Sequence, residues 1–218
     1  MIGTNIPGLN EFLTEYPEMS LAPTRGNETI LKGIFSFSAQ PKGKILINDS
    51  YRLRIVIPWE FPKITPEVFE IGRKIPRDGQ HHVNPDDTLC LTSPLRLRQR
   101  LQQDPTLDGF TRNCLLPYLY NISHKIKYGS FPFGELAHGI EGEIADYLVL
   151  FNLKIPEQVI KTLFLLGIKK RIANKKSCPC GCGKRLGVCH FHYKVNNFRK
   201  LAYRSWFKIH LNKLGSMK

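Results

Sequence analysis

Tyr51-Arg-Leu-Arg-Ile-Val-Ile57 alternates apolar and polar side chains: Tyr51, Leu53, Ile55 and Ile57 share one side, and Arg52, Arg54 and Val56 share the other. A period of two with one charged face predicts a half-exposed antiparallel strand. Pro58 ends it, since proline brings no N–H to a ladder. Trp59-Glu-Phe-Pro62 makes a stiff connection, and Pro66 sets up another strand over residues 67–71. Upstream, residues 44–48 form a short apolar run closed by a bend at Asn48-Asp49-Ser50. Residues 31–39 read as a strand, with Gln40-Pro-Lys-Gly43 as its turn. Leu9, Phe12, Leu13 and Tyr16 fall at helical spacing within residues 7–19, with Asn10 able to cap and Pro17 as a stop. One helix thus precedes an antiparallel meander.

Downstream the pattern changes. Residues 72–94 are rich in Gly, Pro, Asp and Asn, with a short apolar patch at Val83 and at Leu89-Cys90-Leu91. A loop of that length inside a folded unit is usually functional. After Pro94, helices are predicted over 112–127, 142–153, 156–173 and 193–214, and Cys114 falls in an apolar stripe that marks it as core. The 218 residues, 42% apolar, suffice for one domain and an appendage. No apolar run approaches the ~20 residues that span a bilayer. Met1-Ile-Gly-Thr-Asn-Ile-Pro7 lacks the regions of a secretory signal, so a cytoplasmic protein without a membrane partner is expected.

The loop reads Gln80-His-His-Val-Asn-Pro-Asp-Asp-Thr-Leu-Cys90-Leu91. A thiol beside a fixed amide side chain suits acyl transfer, because the amide can face the oxyanion of a tetrahedral intermediate. A buried thiol between two leucines is the other reading of the same residues. His81 is a candidate proton shuttle.

The order of helix, meander, Phe61-Pro62-Lys-Ile-Thr-Pro66, His82-Val83-Asn84 and Leu89-Cys90-Leu91, then helices, resembles ubiquitin-conjugating enzymes over residues 5–150. Val83 stands where that family has proline, the Asn84–Cys90 gap is short, and the family's later Trp-x-Pro motif is missing. The stretch Gly129-Ser-Phe-Pro-Phe-Gly-Glu135-Leu-Ala-His138-Gly139 resembles the divergent bacterial branch found in antiphage operons, in which some members modify the C-terminus of a cGAS-like nucleotidyltransferase. The resemblance implies that Cys90 carries a C-terminal glycyl acyl group as a thioester and passes it to an amine. Asn84 would support the loop and the oxyanion, and His82 would pin the loop, with His138 and Glu135 near the site. No Gly-rich nucleotide loop is present, so activation falls to a separate adenylating enzyme or a donor already activated.

Cys178-Pro-Cys180-Gly-Cys182-Gly-Lys-Arg-Leu-Gly-Val-Cys189-His190 has the crowding of a metal site. Cys178 and Cys180 form one tight pair, Cys189 and His190 the other, and the glycines let amides turn toward the thiolates. The spacing resembles the SEC-C zinc motif, which implies a structural Zn2+. Cys182 occupies a usual serine position and is a spare thiol or an alternative ligand, as His192 is a spare.

Residues 151–218 hold 16 Lys and Arg against one acid, Glu157. Nucleic acid, an acidic protein surface, anionic lipid, or plain solvation of a basic face are open for such a tail. Together these features predict an α+β fold with three segments. They are a conjugating-enzyme-like domain over 1–153, a basic helical linker over 154–176, and a zinc-binding segment with a basic helix over 177–218. Its expected role is a thioester-forming transferase. The rivals are an inactive adaptor of the same fold and a zinc-dependent module that binds nucleic acid or protein.

Overall fold

A short helix, α1 (Leu9–Glu15), leads into four antiparallel strands in sequential order: β1 (Met19–Ala22), β2 (Thr29–Ala39), β3 (Ile47–Ile57) and β4 (Glu67–Glu70). The computed structural model describes residues 6–24, 26–134 and 139–215. In β3, Tyr51, Leu53, Ile55 and Ile57 are all buried, while Arg52 is exposed and Arg54 lies over the ring of Phe69 on the opposite face. The alternation read from the sequence is therefore the alternation of the two faces.

The expected bend at residues 48–50 is absent. Asn48, Asp49 and Ser50 instead continue β3 and pair with Ser38, Phe37 and Ser36. Lys74 holds this polar stretch extended, since its ammonium bonds the Asp49 carboxylate and, at 2.9 Å, the Ser50 carbonyl. Two expected strands are thus one, and the remaining strand is Met19–Ala22, four residues between prolines that are too short to show a period.

β1 lies so close to β2 that Met19 faces Gly33, and a Cβ at residue 33 would run into the Glu18 carbonyl oxygen. Gly33→Ala is expected to cost at least ~1–3 kcal/mol through this overpacking. Urea unfolding measures it, and an unchanged midpoint would mean that the close approach is not maintained.

Helices α2 (Pro94–Gln103), α3 (Leu107–Phe110) and α4 (Leu116–Tyr128) follow, the last two joined by a wider π turn over Thr111–Leu115. Pro117 explains the join. It has no N–H for the Asn113 carbonyl four residues back, which instead accepts from Arg100 at 3.1 Å. α4 packs on the sheet through the buried Tyr51–Ser123 hydroxyl pair at 2.7 Å, and Tyr120 donates to the Ile45 carbonyl at 2.8 Å. Phe12, Tyr16, Phe35, Phe37 and Tyr51 form a continuous aromatic row in this core. Cys114 is fully buried, and burial pushes its thiol up to about 11, as befits a core residue.

The chain divides into two units, Met1–Leu136 and Ala137–Lys218. The division falls earlier than residue 153, so α5 (Gly139–Phe151) belongs with the C-terminal unit. There Phe151 meets Phe198 edge-on at 4.8 Å, and the Tyr147 hydroxyl and the Glu143 carboxylate both reach His210 Nε2.

The segment expected as a linker is core. α6 (Pro156–Gly167) buries Val159, Leu163 and Leu166, and α7 (Lys170–Ala173) buries Ala173. The expected helix over 156–173 breaks after Gly167. A Cβ there would lie 3.0 Å from Lys208 Cγ of α9 (Arg204–Gly215), and the Arg199 guanidinium takes the carbonyls of Leu165, Leu166 and Ile168 that the helix leaves open. The helix over 193–214 is likewise two, α8 (Phe191–Phe198) and α9. Among the described residues no helix is long and apolar enough to cross a membrane.

Candidate functional site

Cys90 closes a small hairpin that hangs from β4. Leu89 donates to the Val68 carbonyl at 2.8 Å, and Thr88 bridges Phe69. Val83 pairs with Leu89, so Asn84 faces Thr88 and His82 faces Cys90, with the Cys90 amide donating to the His82 carbonyl at 2.8 Å. The turn is Asn84-Pro-Asp-Asp87, closed by the Asp87 amide on the Asn84 carbonyl at 2.9 Å. Proline at its second position presets φ, and Asp87 is left-handed, at φ 65°. Asp86 accepts from the Thr88 amide at 3.1 Å and its hydroxyl at 2.5 Å.

Alternation along the hairpin buries Leu89 and leaves Cys90 half-buried, on the same side as Asn84 and Thr88. The Asn84 side chain donates to Thr88 Oγ1 at 2.9 Å, so it braces the turn. His82, at φ 52°, anchors the loop through its backbone. Its carbonyl also accepts from the Tyr118 hydroxyl at 3.3 Å, and its ring sits 5.5 Å from that of Phe131. His81 points to Asp78, with Nδ1 2.8 Å from the carboxylate, and this hydrogen bond holds the Asp78 carboxyl below its usual range. His138 and Glu135 lie outside the described residues.

Two residues that sequence reasoning did not single out hold this loop. Tyr118 of α4 is buried and donates to the carbonyls of both His81 and His82. Burial, and then the neighbouring charge of Cys90, push its phenol well above the usual range. Arg77 joins the Glu70 and Ile75 carbonyls, each at 2.6 Å, to the Asp87 carboxylate at 3.0 Å, and its guanidinium lies 3.5 Å from the buried Glu70 carboxylate. The only sequence signal for either is its residue type: a tyrosine on a helix that faces the loop, and a cation just before an acidic turn.

The second constellation is in the C-terminal unit. The sulfurs of Cys178, Cys180, Cys182 and Cys189 all lie within 4.8 Å of one another, close enough to hold a metal ion. Cys178–Cys180 is 3.2 Å, and Cys180–Cys189 and Cys182–Cys189 are each 3.6 Å. These are too long for a disulfide, whose S–S bond is ~2.05 Å. The amides of Cys180, Cys182, Lys184 and Phe191 each bond the sulfur two residues earlier.

The fourth position differs from expectation, for Cys182 and not His190 completes the group. Gly181 and Gly183, left-handed at φ 82° and 73°, turn the chain back on both sides of Cys182. His190 is already helical at the start of α8, with its ring 6.4 Å from Tyr193, and His192 bonds the Cys189 carbonyl at 2.7 Å. Burial raises the Cys178 thiol, whereas the Lys184 amide and then the neighbouring Cys180 thiol lower exposed Cys182 to about 7.

No protein-family model, curated protein or solved structure matches the chain.

Proposed function

We propose that the N-terminal unit is a thioester-forming acyl transferase of the ubiquitin-conjugating kind, with Cys90 as its nucleophile. The observation that carries this is half-buried Cys90 at the end of a hairpin tied at three places: to β4 through Leu89, to His82 across the strands, and to α4 through Tyr118. A core thiol has no need of such anchorage, as fully buried Cys114 shows. In the first step the Cys90 thiolate attacks the carbonyl of an activated C-terminal glycine. The C–S bond forms as the activating group leaves. In the second step an amine attacks the thioester. The C–N bond forms, the C–S bond breaks, the thiolate is regenerated, and the amine proton passes to solvent. Asn84 keeps the turn in place and lies on the side where the oxyanion develops. The donor class is a ubiquitin-like protein or a cGAS-like nucleotidyltransferase in antiphage defence, activated by a separate adenylating enzyme.

In the C-terminal unit the four sulfurs hold a structural Zn2+. Four ~2.3 Å Zn–S bonds at tetrahedral angles put sulfurs about 3.8 Å apart, inside the range seen, from 3.2 Å for Cys178–Cys180 through 3.6 Å for two other pairs to at most 4.8 Å. The four amide donors offset the negative charge of four thiolates. Four protein ligands leave no open position, so the metal holds the fold and takes no part in acyl transfer.

Incubating the protein with a candidate donor, adenylating enzyme and ATP should leave a thiol-sensitive adduct on the wild type and on Cys114→Ala. Cys90→Ala should carry none, and Cys90→Ser should carry a thiol-resistant ester. An adduct that survives Cys90→Ala, or a wild type that never forms one, ends the transferase assignment.

A further inference from the structure

We propose that the C-terminal unit binds single-stranded nucleic acid, with a backbone phosphate seated in an open cavity of about 300 Å3 between the end of α6, the start of α7 and the α8–α9 connection. The cavity is lined by Leu166, Lys169, Lys170, Arg199, Ala202 and Arg204. Four of these six carry a positive charge, and none is acidic.

Arg199 has a structural reason to be there, because it caps the three carbonyls at the end of α6. The other three cations do not share it. The side chains of Lys169, Lys170 and Arg204 have no hydrogen-bond or ion-pair partner among the described residues. Burial and then the Arg204 charge lower the pKa of Arg199, so these two guanidinium groups repel each other as they stand. An anion in the cavity would reverse that repulsion, and a phosphodiester has the charge and the acceptor oxygens to meet several cations at once.

Two observations favour a nucleic-acid strand over a phosphopeptide. Tyr203 sits between the lining residues Ala202 and Arg204 and is 63% exposed, so an aromatic face stands free beside the phosphate position. An unpaired base can stack on that face, and a base inside a duplex cannot. The cavity also continues into more positive charge. Arg171 and Lys200 are exposed and adjoin lining residues, and exposed Lys208 packs against Gly167 at the rim. Residues 137–218 hold 16 Lys and Arg against 4 Asp and Glu, enough to follow a backbone beyond one phosphate.

The test measures fluorescence anisotropy of a labelled 12-nucleotide oligothymidylate with the full chain over a range of salt. The wild type should bind at low salt and weaken steeply as salt rises. Lys170→Gln/Arg204→Gln should weaken binding about tenfold and flatten the salt slope by about one phosphate contact, ~0.7 on the log–log plot. The charge-matched pair Lys161→Gln/Lys213→Gln, outside the cavity, should have less than a third of that effect. Lys169→Gln/Lys170→Gln repeats the test without touching the first residue of α9. Tyr203→Ala should weaken binding at least fivefold, and a duplex of equal length should compete poorly. Absence of binding at low salt, equal losses for the two charge-matched pairs, or equal competition by duplex or phosphopeptide would each overturn the proposal. None of these outcomes bears on Cys90.

Discussion

Cys182→Ser should abolish stoichiometric zinc, whereas His190→Ala should retain one zinc per chain. The four-sulfur cluster fixes this order, because Cys182 lies inside the group and His190 does not. Stability should follow the metal. Residues 177–190 are held by few other forces: the Ser177–Arg185 bridge, the backbone bonds of Cys178 to Lys184, Leu186 to Lys176 and Gly187 to Asn174, two short turn bonds at Val188 and Cys189, and, besides Cys178 itself, the buried residues Pro179 and Leu186. Residues 181–185 are all exposed, so burial contributes little there. Yet this knuckle connects α7 to α8 and orients Val195 and Phe198 into the core. Structural zinc binds small peptides with an apparent ~10–16 kcal/mol, more than many domains have as total stability. Cys178→Ser or a chelator should therefore cost the C-terminal unit several kcal/mol and lower its melting temperature by more than about 10 °C. The transition of the N-terminal unit should stay in place. Metal analysis and calorimetry decide it. Zinc retained by Cys182→Ser and lost by His190→Ala would restore the cysteine–histidine set, and protein isolated without chelator that carries no zinc would remove the metal altogether.

The same contrast shows what the sequence made legible. Period-two alternation at residues 51–57 marked β3 because each side chain answers only to its own face. The bend at 48–50 misled because Asn, Asp and Ser favour turns locally, and Lys74, 25 residues away from Asp49, keeps them extended. Crowded cysteines announced a metal site, but which four sulfurs converge depends on two left-handed glycines, a conformational fact hidden in residue spacing. At the candidate site, the Asn84–Asp87 turn was readable from Pro85 and its polar neighbours. Tyr118 and Arg77 were not, since each acts on the loop from elsewhere in the chain, and nothing in a helical stripe or a lone arginine names the carbonyl it will meet.

Arg77→Met should destabilise the N-terminal unit by ~3 kcal/mol or more and loosen the Cys90 hairpin as it does so. The Glu70 carboxylate is fully buried, with the amides of Gly72 at 2.7 Å and Ile75 at 3.3 Å as its remaining donors. Losing Arg77 leaves that charge without a cation, and a charge stranded in the interior is the costly half of any buried pair. The two amides place the expected loss at the low end of the ~3–5 kcal/mol range for broken buried pairs. The same substitution cuts Arg77 from the Glu70 and Ile75 carbonyls and from Asp87, the left-handed residue in the turn that leads to Cys90. Iodoacetamide should then modify Cys90 several-fold faster at denaturant concentrations where Cys114 remains protected. Arg77→Met/Glu70→Gln separates the two effects. Removing the stranded charge should recover at least ~1 kcal/mol of stability, since a neutral amide costs less to bury than a carboxylate. It should not slow Cys90 alkylation, because Asp87 is still untethered. If the double variant is no more stable than Arg77→Met, the Glu70 charge is not what Arg77 offsets. If Cys90 reacts at the wild-type rate in both, the hairpin is held by Tyr118 and β4 alone.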